Sequence, residues 1–228
     1  VFSKQVGGLF LIRIEDTDRE RSKKEYEEDI ISGLEWLGIS ADKTPIRQSE
    51  RSDVYQKAAE KLIDSGNAYW CDCSPEDLEA MREQQMAAGK KPMYDGRSRD
   101  LGLERSKNTV LRLATPIDGE TIVKDLIRGD ITFKNSELDD LILLRSDGTP
   151  TYHFCNVVDD YDQGITTVIR GEDHISNTPR QIHIQKALGY KELEYAHLPL
   201  VLGEDKKRLS KRHAATSLNA YKLSLIHI

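Results

Sequence analysis

Long apolar runs are missing from this 228-residue chain. Nothing in it approaches the ~20 consecutive apolar residues of a helical membrane span, so no membrane partner is expected. Cysteine is scarce: Cys71, Cys73 and Cys155 are too few and too unevenly placed for a disulfide framework. A reducing cytoplasm is therefore the expected compartment. No positively charged leader opens at Val1, no internal repeat recurs, and no low-complexity tract interrupts the pattern. What remains is ordinary for a soluble protein, with 32% charged and 38% apolar residues and length enough for one large domain or two smaller ones.

Positive charge is outnumbered overall and concentrated locally. The formal balance is −6, yet five of the eight residues from Lys206 to His213 carry fixed positive charge. Crowding cations onto one short loop of an acidic protein costs self-repulsion, which a polyanionic ligand relieves. The plain alternative is a solvated basic loop. The stretch Arg208-Leu209-Ser210-Lys211-Arg212 follows the apolar run His197-Leu198-Pro199-Leu200-Val201-Leu202.

Gly8 to Ile14 reads as a buried strand. Ser22-Lys23-Lys24-Glu25 has capping-box form, and Tyr26, Ile30, Leu34 and Leu37 follow at helical spacing until Gly38. Val54, Ala58 and Leu62 mark a second helix closed by Ser65-Gly66. Ser74-Pro75-Glu76-Asp77 opens a third, with serine at the cap and acids near the positive dipole end. Residues 90–108 read as loop. Short alternating segments between Val110 and Leu144 suggest an antiparallel meander. A strand over 166–169 and a helix capped at Thr178-Pro179 and running to Gly189 follow. The order is α/β, a mixed insertion, then α/β again, which fits a parallel sheet interrupted by an inserted domain. Ligands of such sheets collect at the carboxyl ends of strands.

Arg13-Ile14-Glu15-Asp16-Thr17-Asp18-Arg19 crowds charge directly after the first strand. A turn explains the aspartates, whose side chains bond free backbone groups, but explains Glu15 less well. This string resembles the RIEDTDR signature of the glutamyl-tRNA synthetases, a bacterial-type family of class I aminoacyl-tRNA synthetases. Further matches follow in family order: Arg47-Gln48-Ser49-Glu50-Arg51, Tyr94-Asp95-Gly96-Arg97-Ser98-Arg99, Thr151 to Asp160, and Val168-Ile169-Arg170-Gly171-Glu172-Asp173-His174. The basic loop resembles the family's second signature, with Arg208 where a lysine is usual. Several motifs at compatible spacing are far more specific than one.

The resemblance implies a Rossmann-like α/β catalytic domain, its first strand missing, interrupted by an inserted α+β acceptor-binding domain. Residues 1–69 and 152–202 are its two catalytic parts, 70–151 the insertion, and 203–228 the signature loop with the start of a stem-contact region. Residues from about 222 break the local polar pattern, look like a translated library adapter, and are left out of the fold reading. The implied reaction is ATP-dependent attachment of L-glutamate to the 3′ end of tRNA through a glutamyl adenylate. By resemblance Glu15 takes the amino group and Arg170 the side-chain carboxylate, with Tyr152 and Asn156 fixing orientation. Lys211, Arg208 and Ser210 hold the phosphates, Asp173 and Val201 contact adenosine, and Tyr94, Arg97 and Arg99 face the tRNA acceptor end. Physical chemistry agrees on Arg170: a guanidinium grips a carboxylate with two charge-assisted bonds that a neutral amide cannot match. Leaving a buried arginine unpaired rejects an analogue by several kcal/mol, on the order of 10⁴-fold. An ion pair of Arg170 with Glu172 or Asp173, and Tyr152 as core packing, are the plain alternatives.

Some family features are absent. The His-x-Gly-His type signature is not found and is expected before Val1, so the chain is read as a truncated piece that is inactive alone and does not fold cleanly. Cys71-x-Cys73 suggests zinc, but Ser98 and Asp100 stand where some relatives complete the site, and two thiolates do not close a tetrahedral site. No metal site is expected beyond Mg²⁺ arriving with ATP. A monomer is expected by resemblance. Two other readings stand: a paralogue that glutamylates a modified anticodon base of tRNA, and a non-catalytic RNA-binding module on the same scaffold.

Overall fold

The computed structural model describes residues 5–17 and 24–203, apart from the side chain of Tyr26. Asp18, Arg19, the Ser22 capping box and the basic loop with Arg208, Ser210 and Lys211 lie outside the described residues. The chain divides into two compact units, Val1–Arg51 with Pro199–Ile228, and Ser52–Leu198. No helix among the described residues is long and apolar enough to cross a membrane.

In the first unit, β1 (Arg13–Ile14) pairs in parallel with β2 (Ile46–Arg47), and helix α1 (Lys24–Trp36) lies between them in sequence. The strand expected from Gly8 is shorter and less buried than its apolar run suggests, with Leu9 57% exposed. Phe10 and Ile12 still lend their carbonyls to the amides of Asp42 and Ile46, at 2.8 and 3.0 Å. The face of α1 also differs from expectation: Ile30 and Leu37 are exposed, while Glu27, Ile31 and Leu34 point inward. These three are one helical stripe, and Glu27 belongs on it because Arg47 meets its carboxylate there. Beyond β1, the Asp16 carboxylate accepts from the amide and hydroxyl of Ser49, at 2.8 and 2.6 Å. The turn role read for Asp16 is thus a long-range one.

The second unit holds most of the core. Helix α2 (Ser52–Asp64) buries Tyr55, Ala58, Ala59 and Leu62, of which Ala58 and Leu62 stand at the expected helical spacing. Strands β3 (Ala68–Cys71), β4 (Val110–Leu113) and β7 (Ile142–Leu144) form an antiparallel sheet with β4 central. Helix α3 (Pro75–Ala87) opens as expected: the Ser74 hydroxyl accepts from the Asp77 amide and the Asp77 carboxylate from the Ser74 amide. Helices α4 (Tyr152–Asp162) and α5 (Thr178–Leu188) contribute Phe154, Val157, Val158, Ile184 and Leu188 to one apolar cluster with α2 and the sheet.

The expected meander does not form. Strands β5 (Glu120–Asp125) and β6 (Gly129–Lys134) make a hairpin, and this joins β8 (Thr167–Gly171) and β9 (Glu194–Leu198) in a second sheet of order β6-β5-β9-β8. Strand β9 runs parallel to both β5 and β8. Alternation in β5 was legible, since Thr121, Val123 and Asp125 are buried and the residues between are exposed. Its partner was not, because a two-residue period names a face and not a neighbour. Helix α5 also starts differently: Asn177 occupies the cap without a side-chain cap bond, while buried Thr178 turns its hydroxyl toward Arg170. Gly189 closes the helix at φ 68°, a left-handed position that suits glycine.

Phe154 is fully buried where α2, α4 and the antiparallel sheet meet. Phe154→Ala is expected to lower the unfolding free energy by about 3–5 kcal/mol in urea denaturation. Leu126→Ala, at a side chain 64% exposed, is expected to change it by less than about 0.5 kcal/mol.

Candidate active site

Arg170 lies near the end of β8, in register with His197 on β9. Its Nε donates to His197 Nε2 at 3.1 Å and its Nη2 to Thr178 Oγ1 at 2.8 Å. The guanidinium also lies over the Tyr195 ring, 5.8 Å from its centroid. Neither neighbouring acid pairs with it. Glu172 meets Arg128, and Asp173 sits 3.8 Å from His174 Nε2. Among the described residues no carboxylate lies within ion-pair distance of Arg170. Burial lowers its pKa, and Tyr152 and Tyr195 act against that shift. The result is a half-buried cation whose terminal nitrogens keep donors to offer a ligand.

Tyr152 opens α4 and is 38% exposed, and Asn156, one turn on, is buried at 6%. The i, i+4 spacing puts both on one face of the helix. Tyr152 is among the groups acting on the Arg170 guanidinium, so these two predicted residues are brought together. Beside them His153 lies edge-on to Tyr152, ring centroids 5.2 Å apart. A cavity of about 450 Å³ reaches from Tyr152 and His153 to Arg112, Asp140 and Arg145.

Glu15 and Val201 belong to the first unit. The Glu15 carboxylate accepts from Arg13 Nη2 at 3.2 Å and stays 40% exposed; Val201 is 70% exposed. On the loop after α3 the three expected tRNA residues diverge. Tyr94 is buried at 7%, with its hydroxyl accepting from the Ser98 amide and the Cys71 thiol, and Arg112 3.9 Å from its ring centroid. Tyr94 therefore shapes the loop from inside. Arg99 is bound side-on to buried Asp140 and to the Thr115 carbonyl. Arg97 pairs with Asp95 and remains 47% exposed. The Cys73 thiol meets the Ser98 hydroxyl at 3.7 Å, and among the described residues no cluster of three or more His, Cys, Asp or Glu is placed to hold a metal.

Sequence reasoning missed Asp125, Thr178 and His197, the residues behind Arg170. One signal was available for His197, a histidine inside an apolar strand that any burial obliges to find polar partners. For Asp125 there was none, since an aspartate before Leu126 and Ile127 reads as the start of a turn.

The family described as tRNA synthetases class I (E and Q), catalytic domain, matches residues 1–224. A glutamate–tRNA ligase of Thermodesulfovibrio yellowstonii is 54% identical over 222 residues, covering 97% of this chain and 48% of that protein. One of Geobacter sulfurreducens is 53% identical over 223 residues, with the same shares. Among solved structures, a glutamate tRNA ligase from Elizabethkingia meningosepticum in complex with its amino acid aligns with a TM-score of 0.83 at 36% identity, over 92% of this chain and 47% of that one. The chain spans about half the length of the curated relatives it matches.

His153 Nδ1 is buried and finds no hydrogen-bond partner among the described residues. Burial, with Arg170, Arg180 and His174 nearby, lowers its pKa from 6.5 to about 4. Between those values the unfolded chain binds a proton that the folded one refuses, so this residue's contribution to stability falls as pH drops through that window. The slope from this one residue is at most about 1.4 kcal/mol per pH unit. His153→Gln is expected to narrow the loss of urea midpoint between pH 7 and pH 5.

Proposed function

Since this chain belongs to the class I tRNA synthetases of the E and Q type, matching their catalytic domain over residues 1–224, we propose that its protein is a glutamate–tRNA ligase. It activates L-glutamate with ATP and passes it to the 3′ end of tRNA. The observation that carries this reading is the state of Arg170. A half-buried guanidinium held by an imidazole and a hydroxyl, without a carboxylate of its own, is built to receive one from outside. Glutamate supplies that carboxylate, with two parallel charge-assisted bonds available to it. Glutamine offers a neutral amide whose NH₂ faces donors with more donors, so the arginine is left partly unpaired.

Around that contact the other roles follow by family likeness. Glu15 meets the substrate ammonium, and Tyr152 and Asn156 set its orientation along one face of α4. Asp173 and Val201 contact adenosine. Lys211, Arg208 and Ser210 stabilise charge on the departing pyrophosphate, which is the largest electrostatic demand of adenylate formation. Mg²⁺ arrives with the nucleotide, and no zinc is assigned to Cys71 and Cys73. Residues 1–69 and 152–202 act as the catalytic parts, 70–151 as the acceptor-end insertion with Arg97 its exposed cation, and 203–228 as the signature loop. The protein works as a cytoplasmic monomer.

The test is glutamate-dependent exchange of pyrophosphate into ATP by the full-length protein, with tRNA present. Arg170→Lys keeps the charge and loses the planar fork. It is expected to lower kcat/KM for glutamate by about 10²-fold or more, chiefly through KM. No exchange with any tRNA preparation, or exchange driven equally by glutamine, sinks the reading.

A further inference from the structure

We propose that Asp125 and His197 are positioning residues for the choice of amino acid: a buried carboxylate and imidazole that fix the direction in which the Arg170 guanidinium presents its remaining donors. This rests on the reading of Arg170 as the residue that meets the substrate carboxylate.

The geometry leaves little freedom. Asp125 ends β5, and its Oδ1 accepts from the amides of Ile127 and Arg128, both at 2.9 Å. Its Oδ2 accepts from the His197 amide at 3.0 Å and lies 2.6 Å from His197 Nδ1. Both side chains are fully enclosed. Burial alone pushes the Asp125 carboxyl up, but these amides and the imidazole outweigh it and hold its pKa at about 2. An ionised carboxylate only accepts, so Nδ1 carries the hydrogen. On the ring's other side Arg170 Nε only donates, so Nε2 must present its lone pair across 3.1 Å. Both neighbours demand the same tautomer. Thr178 completes the frame: its hydroxyl oxygen accepts from Arg170 Nη2 at 2.8 Å and sits 3.2 Å from Nε2. Nε and one hydrogen of Nη2 are then engaged by His197 and Thr178, and the remaining donors sit on Nη1 and Nη2, where Tyr152 also acts on the guanidinium.

Asp125 and His197 therefore act through the orientation of Arg170 and touch no substrate themselves. Partners that orient a metal ligand typically change affinity about 10- to 100-fold when altered, and the same scale is expected for partners that orient Arg170. Asp125→Asn can donate to Nδ1 and so drive the ring hydrogen to Nε2, setting N–H against N–H at Arg170. His197→Leu removes the acceptor outright, whereas His197→Gln places an amide oxygen where Nε2 stood.

In the full-length protein with tRNA present, pyrophosphate exchange is measured against glutamate, glutamine and ATP concentration. Asp125→Asn and His197→Leu are expected to raise KM for glutamate about 10- to 100-fold and to shrink the preference over glutamine in proportion, while KM for ATP stays put. His197→Gln is expected to recover most of the preference lost by His197→Leu. A merely structural role predicts another pattern: fewer active molecules, lower kcat for every substrate, and an unchanged preference. That pattern overturns the proposal. Should the variants fail to fold, ¹⁵N spectra of the wild-type imidazole decide, with a hydrogen on Nδ1 and a bare Nε2 in support and the reverse tautomer or a doubly protonated ring against. Wild-type protein without glutamate-dependent exchange indicts the ligase reading instead. An active wild type with indifferent variants indicts this proposal alone.

Discussion

A guanidinium taken partly out of water costs several kcal/mol unless something anionic or hydrogen-bonding meets it. The structure meets Arg170 with neutral groups, the imidazole of His197 and the hydroxyl of Thr178. Much of the second sheet follows from this one arrangement. Strand β9 must run parallel beside β8 to bring His197 into register with Arg170. Strand β5 must lie on the far side of β9, so that Asp125 at its end reaches the His197 ring and amide. The hairpin β5–β6, which local pattern alone assigns to a separate meander, is held to this sheet by the same carboxylate. Even the first residue of α5 is given over to the frame.

Legibility in the sequence followed the range of the interaction. Elements whose determinants are local were readable. Helix α2 carries its apolar residues at helical spacing, α3 carries its own cap in Ser74 and Asp77, and Gly189 closes α5 with the backbone angle that glycine permits. Elements defined by a distant partner were not. The face of α1 was misplaced because Glu27 counts as polar until Arg47 is known to meet it. Threonine before proline commonly caps a helix, and only the tertiary structure supplies Arg170 as a stronger claimant on Thr178. The candidate site divides in the same way. Arg170, Tyr152 and Asn156 stand out in motifs that a family likeness supplies, and Asp125 and His197 do not, because no local pattern links two residues 72 apart in sequence.

Charge on the loop after α3 shows why a motif does not translate directly into a surface. Asp140 is 2% exposed and gathers the Tyr69 hydroxyl, both near nitrogens of Arg99 and the Thr115 amide, while its carbonyl accepts from Arg112 at 2.8 Å. Arg112 in turn stacks on Tyr94. A buried acid in this position needs its cations to stay home, since removing one leaves an uncompensated charge at a cost of about 3–5 kcal/mol. Of the arginines in Tyr94-Asp95-Gly96-Arg97-Ser98-Arg99, only Arg97 is thus held by an exposed partner that a nucleic-acid phosphate can displace. The loop gains a fixed shape from the same contacts that withdraw its charge. Shape, more than exposed charge, is what these contacts give the loop.

The interposed imidazole has an electrostatic reason beyond geometry. A carboxylate placed directly against Arg170, at roughly 3 Å in an effective dielectric near 20, interacts with it by about 5 kcal/mol. Such a partner occupies the donors and neutralises the field that Arg170 presents to any other carboxylate. Set back behind a ring, at roughly 7 Å, the same charge contributes about 2 kcal/mol. That keeps the arginine oriented and eases its burial, yet leaves most of its positive potential facing the open side. In the proposed ligase, selecting an acid over its amide depends on that residue of unspent charge, because the two ligands share nearly every other contact. A site meant only to stabilise the fold has no use for the spacer and is better served by a direct pair. The geometry of Asp125, His197 and Arg170 is therefore that of a cation kept in reserve.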